Sequence, residues 1–417
     1  MGYLVVALIV IGSAIAAIPA INYTSPMTAI SLEAAMCAFL LMSISLLMAT
    51  RIKVLEYLFG GLDRLYVAHR RIGYLILVLI LVHYIYTPNF TGLFQNKELN
   101  ELAKLTGYYT FFALCALIVF SIVKKIPFLK FQFPYHIWYA THRFIGFAFL
   151  AIAFHQFFVK KPFDQTETIA YILNFASLVG IVSYAYTQSI SHFKKKSYRI
   201  VAVEKHAAAT VITAVPTGRR LKLRAGQFII AHIRRRGLRE PHPFTVSRIA
   251  ADGSLTISVK PLGDYTRRLR ENLHAGDILR VEGGYGHFHF GRGGAQQIWI
   301  AGGIGVTPFA AMAADLQQYP QISVTMIYCV RDVGEAIYQD LFRALDEKLE
   351  NFRFILHASN DSGRLDAEKL KELAHVKPGQ ADFWFCGPAP LRQALVRGLA
   401  KIGEKPRRIR FEQFEFR

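Results

Sequence analysis

Cysteine is scarce: Cys37, Cys115, Cys329 and Cys386 are the only four in 417 residues. None forms a CxxC pair, which excludes a disulfide framework and a cysteine-based zinc site. Acid is also in short supply, with 29 Asp and Glu against 49 Lys and Arg and a formal charge of +20. A basic excess suits nucleic acid when it gathers on one face. Here much of it falls in short loops between apolar runs and at their exit, so it reads as a membrane topology signal and nucleic acid is excluded as a partner. The opening "MGYLVVALIVIGSAIAAIPAI" lacks the positive n-region of a secretory signal and is long enough to span, so a retained helix is expected.

What the chain has in abundance is apolar sequence, 53% of all residues, concentrated in residues 1–190. Six spans are predicted near 3–22, 27–49, 66–87, 107–124, 137–159 and 166–189. Arg51, Lys53, Arg64, Arg70 and Arg71 lie between spans two and three, and Lys124, Lys125 and Lys130 between spans four and five. The remaining loops are less basic. Both termini are therefore expected in the cytoplasm of an integral membrane protein. The basic inner loops suit contact with anionic membrane lipid, but also serve plainly as topology determinants. The first domain is drawn at 1–192.

Span three reads "HRRIGYLILVLILVH", with His69 and His83 14 residues apart. Span five holds His142 and His155, 13 apart. A single intramembrane histidine is more often a packing residue than a ligand. Four on two parallel spans, roughly 20 Å apart along each helix, form two level pairs, His69 with His142 and His83 with His155. Two stacked haems need that arrangement, because neutral imidazole fills both axial positions of a haem iron. A 14-residue step returns to within about 40° of the same helix face, whereas a 13-residue step ends about 140° away. Span five therefore calls either for a bulge or bend between His142 and His155, for which Gly146 is a candidate site, or for a rotated approach of the two histidines. Arg70, Arg71 and Arg143 directly follow the inner histidines and suit either haem propionates or membrane anchoring.

Beyond residue 195 the composition becomes that of a soluble α/β protein. A strand-rich segment, drawn as a domain at 197–292, contains "EPHPFTVS", whose Pro241 and Pro243 hold the backbone extended. Thr245 and Ser247 there offer hydroxyls to a flat aromatic ligand. "VKPLGDYTRRL" opens a helix with Gly263 and Thr266, a setting for a pyrophosphate on backbone N–H groups. From 293 to 417 strands alternate with helices. Gly302, Gly303 and Gly305, followed by Thr307, form a glycine turn between strand and helix that departs from the GxGxxG fingerprint. Further strands end at Arg331, at Ser359 with Arg364 after it, and at Cys386-Gly387-Pro388. Strand ends so marked define a ligand crevice in an open α/β sheet.

The ordered motifs "HPFTVS", "LGDYT", "GGIGVTPF", "SGR", "FCGP" and the terminal "FEF" resemble the ferredoxin–NADP reductase superfamily, specifically its membrane branch of NADPH oxidases and ferric reductases. The resemblance covers essentially the whole chain. It implies a six-helix transmembrane bundle, an antiparallel β-barrel FAD domain and a Rossmann-like α/β NADP domain. It implies FAD, two b-type haems and NADPH, with NADH also admissible. It places His242, Pro243, Phe244 and Thr245 on the flavin, and Gly263 and Thr266 near the FAD diphosphate. Gly302–Thr307 fall at the nicotinamide nucleotide diphosphate, with Ser359, Arg364 and more weakly Arg331 at the 2′-phosphate. Cys386 and Phe416 become the residues beside nicotinamide and flavin. The implied activity is electron transfer from cytosolic NADPH to oxygen or ferric iron outside, with no protein partner required. Delivery to a separate periplasmic protein or the quinone pool is the alternative. Many superoxide-producing members have a second histidine four residues beyond the outer ligand; here that position is Thr87.

Overall fold

The apolar runs of the first half fold as helices in the computed structural model. It describes residues 1–417 except 23, 89, 91–95, 124, 127–130, 133–134, 190–193, 375 and 413–417, and excepts also the side chains of 125–126, 131–132 and 135–136. Contacts divide the chain into two units, Met1–Phe193 and Lys194–Glu415. The first contains α1 (Gly2–Ile21), α2 (Pro26–Ala49), α3 (Lys53–Phe59), α4 (Leu62–Ile85) and α5 (Lys97–Ile122). A two-stranded ribbon, β1 (Lys125–Ile126) with β2 (Phe131–Gln132), leads to α6 (Tyr135–Phe158) and α7 (Thr168–Gln188). Among the described residues six helices are long and apolar enough to cross a membrane, namely α1, α2 and α4–α7. Large apolar side chains such as Leu8, Tyr109 and Phe175 stay exposed on them, as a lipid-facing surface requires.

Two expectations are corrected here. The fourth long helix begins at Lys97, ten residues before the predicted span, because Asn96 caps it by accepting from the Leu99 amide at 3.0 Å. Its polar first turns hold a Glu101–Lys104 ion pair at 3.0 Å. Of the bend and the rotated approach considered for the fifth long helix, the bend is absent: α6 runs uninterrupted from Tyr135 to Phe158. Gly146 serves packing instead, since a Cβ there would collide with the Tyr184 ring of α7.

The second unit begins with six strands: β3 (Lys196–Lys205), β4 (Thr210–Pro216), β5 (Phe228–Ile233), β6 (His242–Ile249), β7 (Leu255–Val259) and, after α8 (Asp264–Asn272), β8 (Ile278–Tyr285). They close an antiparallel barrel in the order β3-β4-β7-β6-β5-β8, filled by Ile200, Ile212, Ile229, Val246 and Leu279. The pairing of β6 with β7 slips between Val246 and Arg248, which leaves Ser247 as the extra residue of a bulge.

The rest alternates: β9 (Gln296–Gly302), α9 (Thr307–Leu316), β10 (Ser323–Val330), α10 (Gln339–Lys348), β11 (Phe352–Ala358), α11 (Ser359–Ser362), α12 (Ala367–Leu373), β12 (Asp382–Cys386), α13 (Ala389–Lys401) and β13 (Arg408–Phe411). These strands form a parallel sheet in the order β11-β10-β9-β12-β13. Both faces of β9 are covered, with Trp299 and Ala301 in one core and Ile298 and Ile300 in the other. That explains its continuous apolar run. Chain order reverses about β9, so the crevice of an open sheet falls between the ends of β9 and β12.

Candidate functional site

The histidines of α4 and α6 meet as two pairs. The rings of His69 and His142 lie edge to face with centroids 6.0 Å apart and planes at 68°. Two imidazoles on opposite sides of one metal ion, with bonds of about 2.0 Å, bring their ring centroids to about 6 Å. His83 and His155 both line a cavity of about 520 Å³ at the other end of the helices, with Phe39 and Leu114 on its apolar wall.

Three of the four imidazoles have Nδ1 committed to the protein. His155 donates to the Ala103 carbonyl at 2.8 Å. His83 Nδ1 lies 3.2 Å from the Ser31 carbonyl and 3.0 Å from its hydroxyl. His142 Nδ1 lies 2.9 Å from the Ser121 hydroxyl, and its ring stacks on Trp138. An imidazole held by Nδ1 presents Nε2 as its ligand edge, the arrangement found around metal-bound histidine. Among the described residues no cluster of three or more His, Cys, Asp or Glu gathers, so the donor set is paired imidazoles. That set fits haem, whose ring supplies the other four donors.

Helix spacing explains how a 13-residue step still serves two level sites. Ala103 and Ser121 are 18 residues apart on α5, five full turns at 3.6 residues per turn, so they share one face. His142 and His155 leave α6 in different directions, and each is fixed by that single face. Ser31 and Ser45 of α2 flank His83 and His69 with the same 14-residue step as the histidines themselves. Gly107 makes room for the His155 ring, because a Cβ there would overlap it. None of these partners carried a sequence signal of its own.

The cavity at His83 and His155 has a polar rim. Lys161 Nζ donates to the Gln156 backbone carbonyl and, at 3.1 Å, to its side-chain oxygen. Burial pulls its pKa down to about 8. Thr87 lines the same cavity but turns its hydroxyl to the Tyr84 carbonyl at 2.8 Å, as a helix cap. At the other end, Arg71 contacts Tyr3 and Arg143 contacts Gln188, while Arg70 is exposed.

In the second unit, strand β6 carries the "HPFTVS" residues. Thr245 is buried, and its hydroxyl has no hydrogen-bond partner among the described residues. An orphaned buried hydroxyl beside His242 and Phe244 fits a strand built to meet a polar aromatic ligand such as flavin. The His242 ring lies tilted against Tyr265, with centroids 3.9 Å apart, and its edge is 3.5 Å from Glu240; burial nevertheless holds its pKa below the usual value. Pro243 pairs with Ile230 across β5. Gly263 caps α8, where Thr266 Oγ1 accepts from the Leu262 and Gly263 amides at 3.0 Å each. Ser247 faces elsewhere, bonded to Thr256 and Tyr338.

At the sheet's crevice the glycines divide their work. A Cβ on Gly302 would strike Pro388, and one on Gly305 would strike the Cys386 carbonyl. Those two glycines therefore admit the Cys386-Gly387-Pro388 turn. Gly303, at φ +55°, faces open space with the Lys260 ammonium 3.9 Å from where its Cβ would stand. Lys260, overlooked in the sequence, places a cation at the turn expected to meet a diphosphate. Thr307 begins α9, donating to the Ile304 carbonyl at 3.1 Å. Arg331 and Ser359 follow the register partners Val330 and Ala358, so they share one edge. Arg364 is exposed after a turn at Gly363 (φ +71°), held by His357. Cys386 is fully buried; burial and then the Glu412 charge hold its thiol well above the usual range. Phe416 lies outside the described residues.

Comparison with known proteins resolves the three parts. Residues 34–153 match the ferric reductase like transmembrane component, residues 195–290 an FAD-binding domain and residues 299–397 an oxidoreductase NAD-binding domain. The chain has the three-part architecture of the ferric reductase and NADPH oxidase family. The transmembrane match includes His69, His83 and His142 and stops two residues short of His155. Among curated proteins, the flavohemoprotein of Bordetella pertussis is 28% identical over 198 residues, 43% of this chain and 49% of that one. The carnitine monooxygenase reductase subunit of Escherichia coli is 29% identical over 149 residues, 36% of this chain and 44% of that one. The chain thus spans about half the length of the curated relatives it matches. A solved flavohemoglobin from Malassezia yamatoensis, with bound FAD and heme, shares 18% identity at a TM-score of 0.51, covering 96% of this chain and 98% of that one. That likeness concerns fold alone.

Proposed function

We propose that this protein carries electrons from cytosolic NADPH across a bacterial inner membrane, through FAD and two b-type haems, to oxygen or ferric iron outside. The observation that carries the reading is the pair of histidine sites at two depths. Three of their imidazoles are held through Nδ1, which leaves Nε2 for iron. His69 and His142 would hold the inner haem, and His83 and His155 the outer one. When bound, flavin turns a two-electron hydride donor into a source of single electrons, and haem iron passes them on one at a time.

The protein's own contribution is placement. Strand β6 presents Thr245 to the flavin site. The open face at Gly303, with Lys260, suits the nucleotide diphosphate, and Arg331, Ser359 and Arg364 suit the 2′-phosphate of NADPH. Below pH 8 Lys161 keeps a cation at the outer cavity, a setting for small anionic acceptors such as a ferric chelate, or for superoxide as it forms. Both termini are cytoplasmic in this reading, and no protein partner is required.

The test is NADPH oxidation by the full chain in lipid, loaded with FAD and haem. It is followed anaerobically with a ferric chelate, and aerobically with and without superoxide dismutase. Turnover with either acceptor and no added protein is expected. No turnover with either, restored only by an added periplasmic protein or quinone, would overturn it.

A further inference from the structure

Two local irregularities of the second unit meet at one point. Tyr338 has φ 65° and ψ 9°, a left-handed conformation that a side chain this large rarely adopts. Its ring packs on the core of the parallel-sheet lobe. Ser247 is the extra residue of the β6–β7 bulge, a device that re-aims a side chain. The Tyr338 hydroxyl lies 2.9 Å from Ser247 Oγ and 2.6 Å from Ser258 Oγ, and both serines are buried.

Proton accounting gives this cluster a single direction. Ser247 donates its only hydroxyl proton to the Thr256 carbonyl at 3.0 Å. Tyr338 must then donate to Ser247 and accept from Ser258. The chain Ser258–Tyr338–Ser247–Thr256 is thereby complete, and the tyrosine is its middle link. It joins the nucleotide lobe to the barrel two residues from Thr245, the buried hydroxyl at the flavin site. Helix α9, which follows the glycine turn, packs on the same strand.

We propose that Tyr338 is a positioning residue for hydride transfer: its hydroxyl fixes the nucleotide lobe against the flavin-bearing strand. The proposal rests on the electron-transfer reading above. The left-handed backbone persists because the hydroxyl chain defines where the ring must sit. With the hydroxyl removed, the nucleotide still binds its own lobe, but the lobe is less well placed against the flavin.

The test uses the full-length, flavin-loaded protein and the variant Tyr338→Phe. Anaerobic stopped-flow reduction of the flavin by NADPH should slow by about 10-fold, as expected for a small misplacement of reacting groups. The NADPH concentration for half-saturation should stay within about 2-fold if nucleotide contacts within the lobe are intact. Amide hydrogen exchange in the same variant, without NADPH, should accelerate in both 242–249 and 336–343. Ser247→Ala should reproduce these effects, and the double variant should add little, because the three hydroxyls act as one chain. Unchanged flavin reduction, additive effects of the two substitutions, or a slowing matched by flavin loss and a lower Tm would each overturn the proposal. A wild-type protein whose flavin NADPH does not reduce would instead refute the electron-transfer reading on which it depends.

Discussion

The two histidine storeys share a helix pair but not a setting. At the inner one, His69 and His142 sit edge to face with Trp138 stacked on the second ring. At the outer one, His83 and His155 border a cavity whose rim includes Lys161, Thr87 and Tyr84. The first site is built of rings packed on rings and the second is polar at its edge, so in the proposed function the first would pass electrons onward and the second would deliver them. Both take a supporting hydrogen bond from one face of α5, Ser121 at the first pair and Ala103 at the second, but Ser31 of α2 adds a further bond only at the second.

That difference can be broken one storey at a time. The largest effect is expected from the ligands. His155→Ala should remove the outer haem and cut acceptor reduction by more than the roughly 10- to 100-fold cost of losing a ligand's hydrogen-bond partner. Flavin reduction by NADPH should persist. His69→Ala should give the same loss of turnover while sparing the outer haem, which haem content and electron paramagnetic resonance would distinguish. Next comes Gly107→Leu. Its side chain must displace the His155 ring, so the outer haem should be lost and the inner retained. An unchanged spectrum would contradict the placement of His155 against α5.

Smaller effects sharpen the contrast. Ser121→Ala should weaken haem retention by about 10-fold at the inner site, and Ser31→Ala by less at the outer, because the Ser31 carbonyl stays 3.2 Å from His83 Nδ1. Haem loss to apomyoglobin would measure both. The smallest concerns pH. Burial lowers the Lys161 pKa to about 8, so it is cationic below that value and neutral above. KM for an anionic ferric chelate should therefore rise as pH increases through about 8. Lys161→Gln should show the higher KM throughout and no such step.

Much of this was legible in the chain itself. The histidine spacing on two apolar runs points to paired sites, and the strand-end glycines, Arg331 and Ser359 mark the nucleotide crevice, because both patterns are local. The supports were not legible. Ser31 reaches His83 from 52 residues away, and Ala103 reaches His155 across the same separation. No sequence window contains both partners. The polar start of α5 reads as a loop because it lacks the apolar content of a span, although Asn96 caps it and Glu101 pairs with Lys104 within one turn. Gly146 reads as a break, yet its missing Cβ accommodates Tyr184. Ser247 reads as a flavin contact by its place in the motif, and only the bulge reveals that its hydroxyl points to Tyr338.

The central claim is two haem sites built from these four histidines, and haem stoichiometry tests it most directly. Pyridine haemochrome analysis of the purified wild-type protein should give two b-type haems per chain. His83→Ala/His155→Ala should reduce this to one, and the quadruple alanine variant to none. Wild-type protein without haem, or full haem content after the outer pair is replaced, would contradict the account.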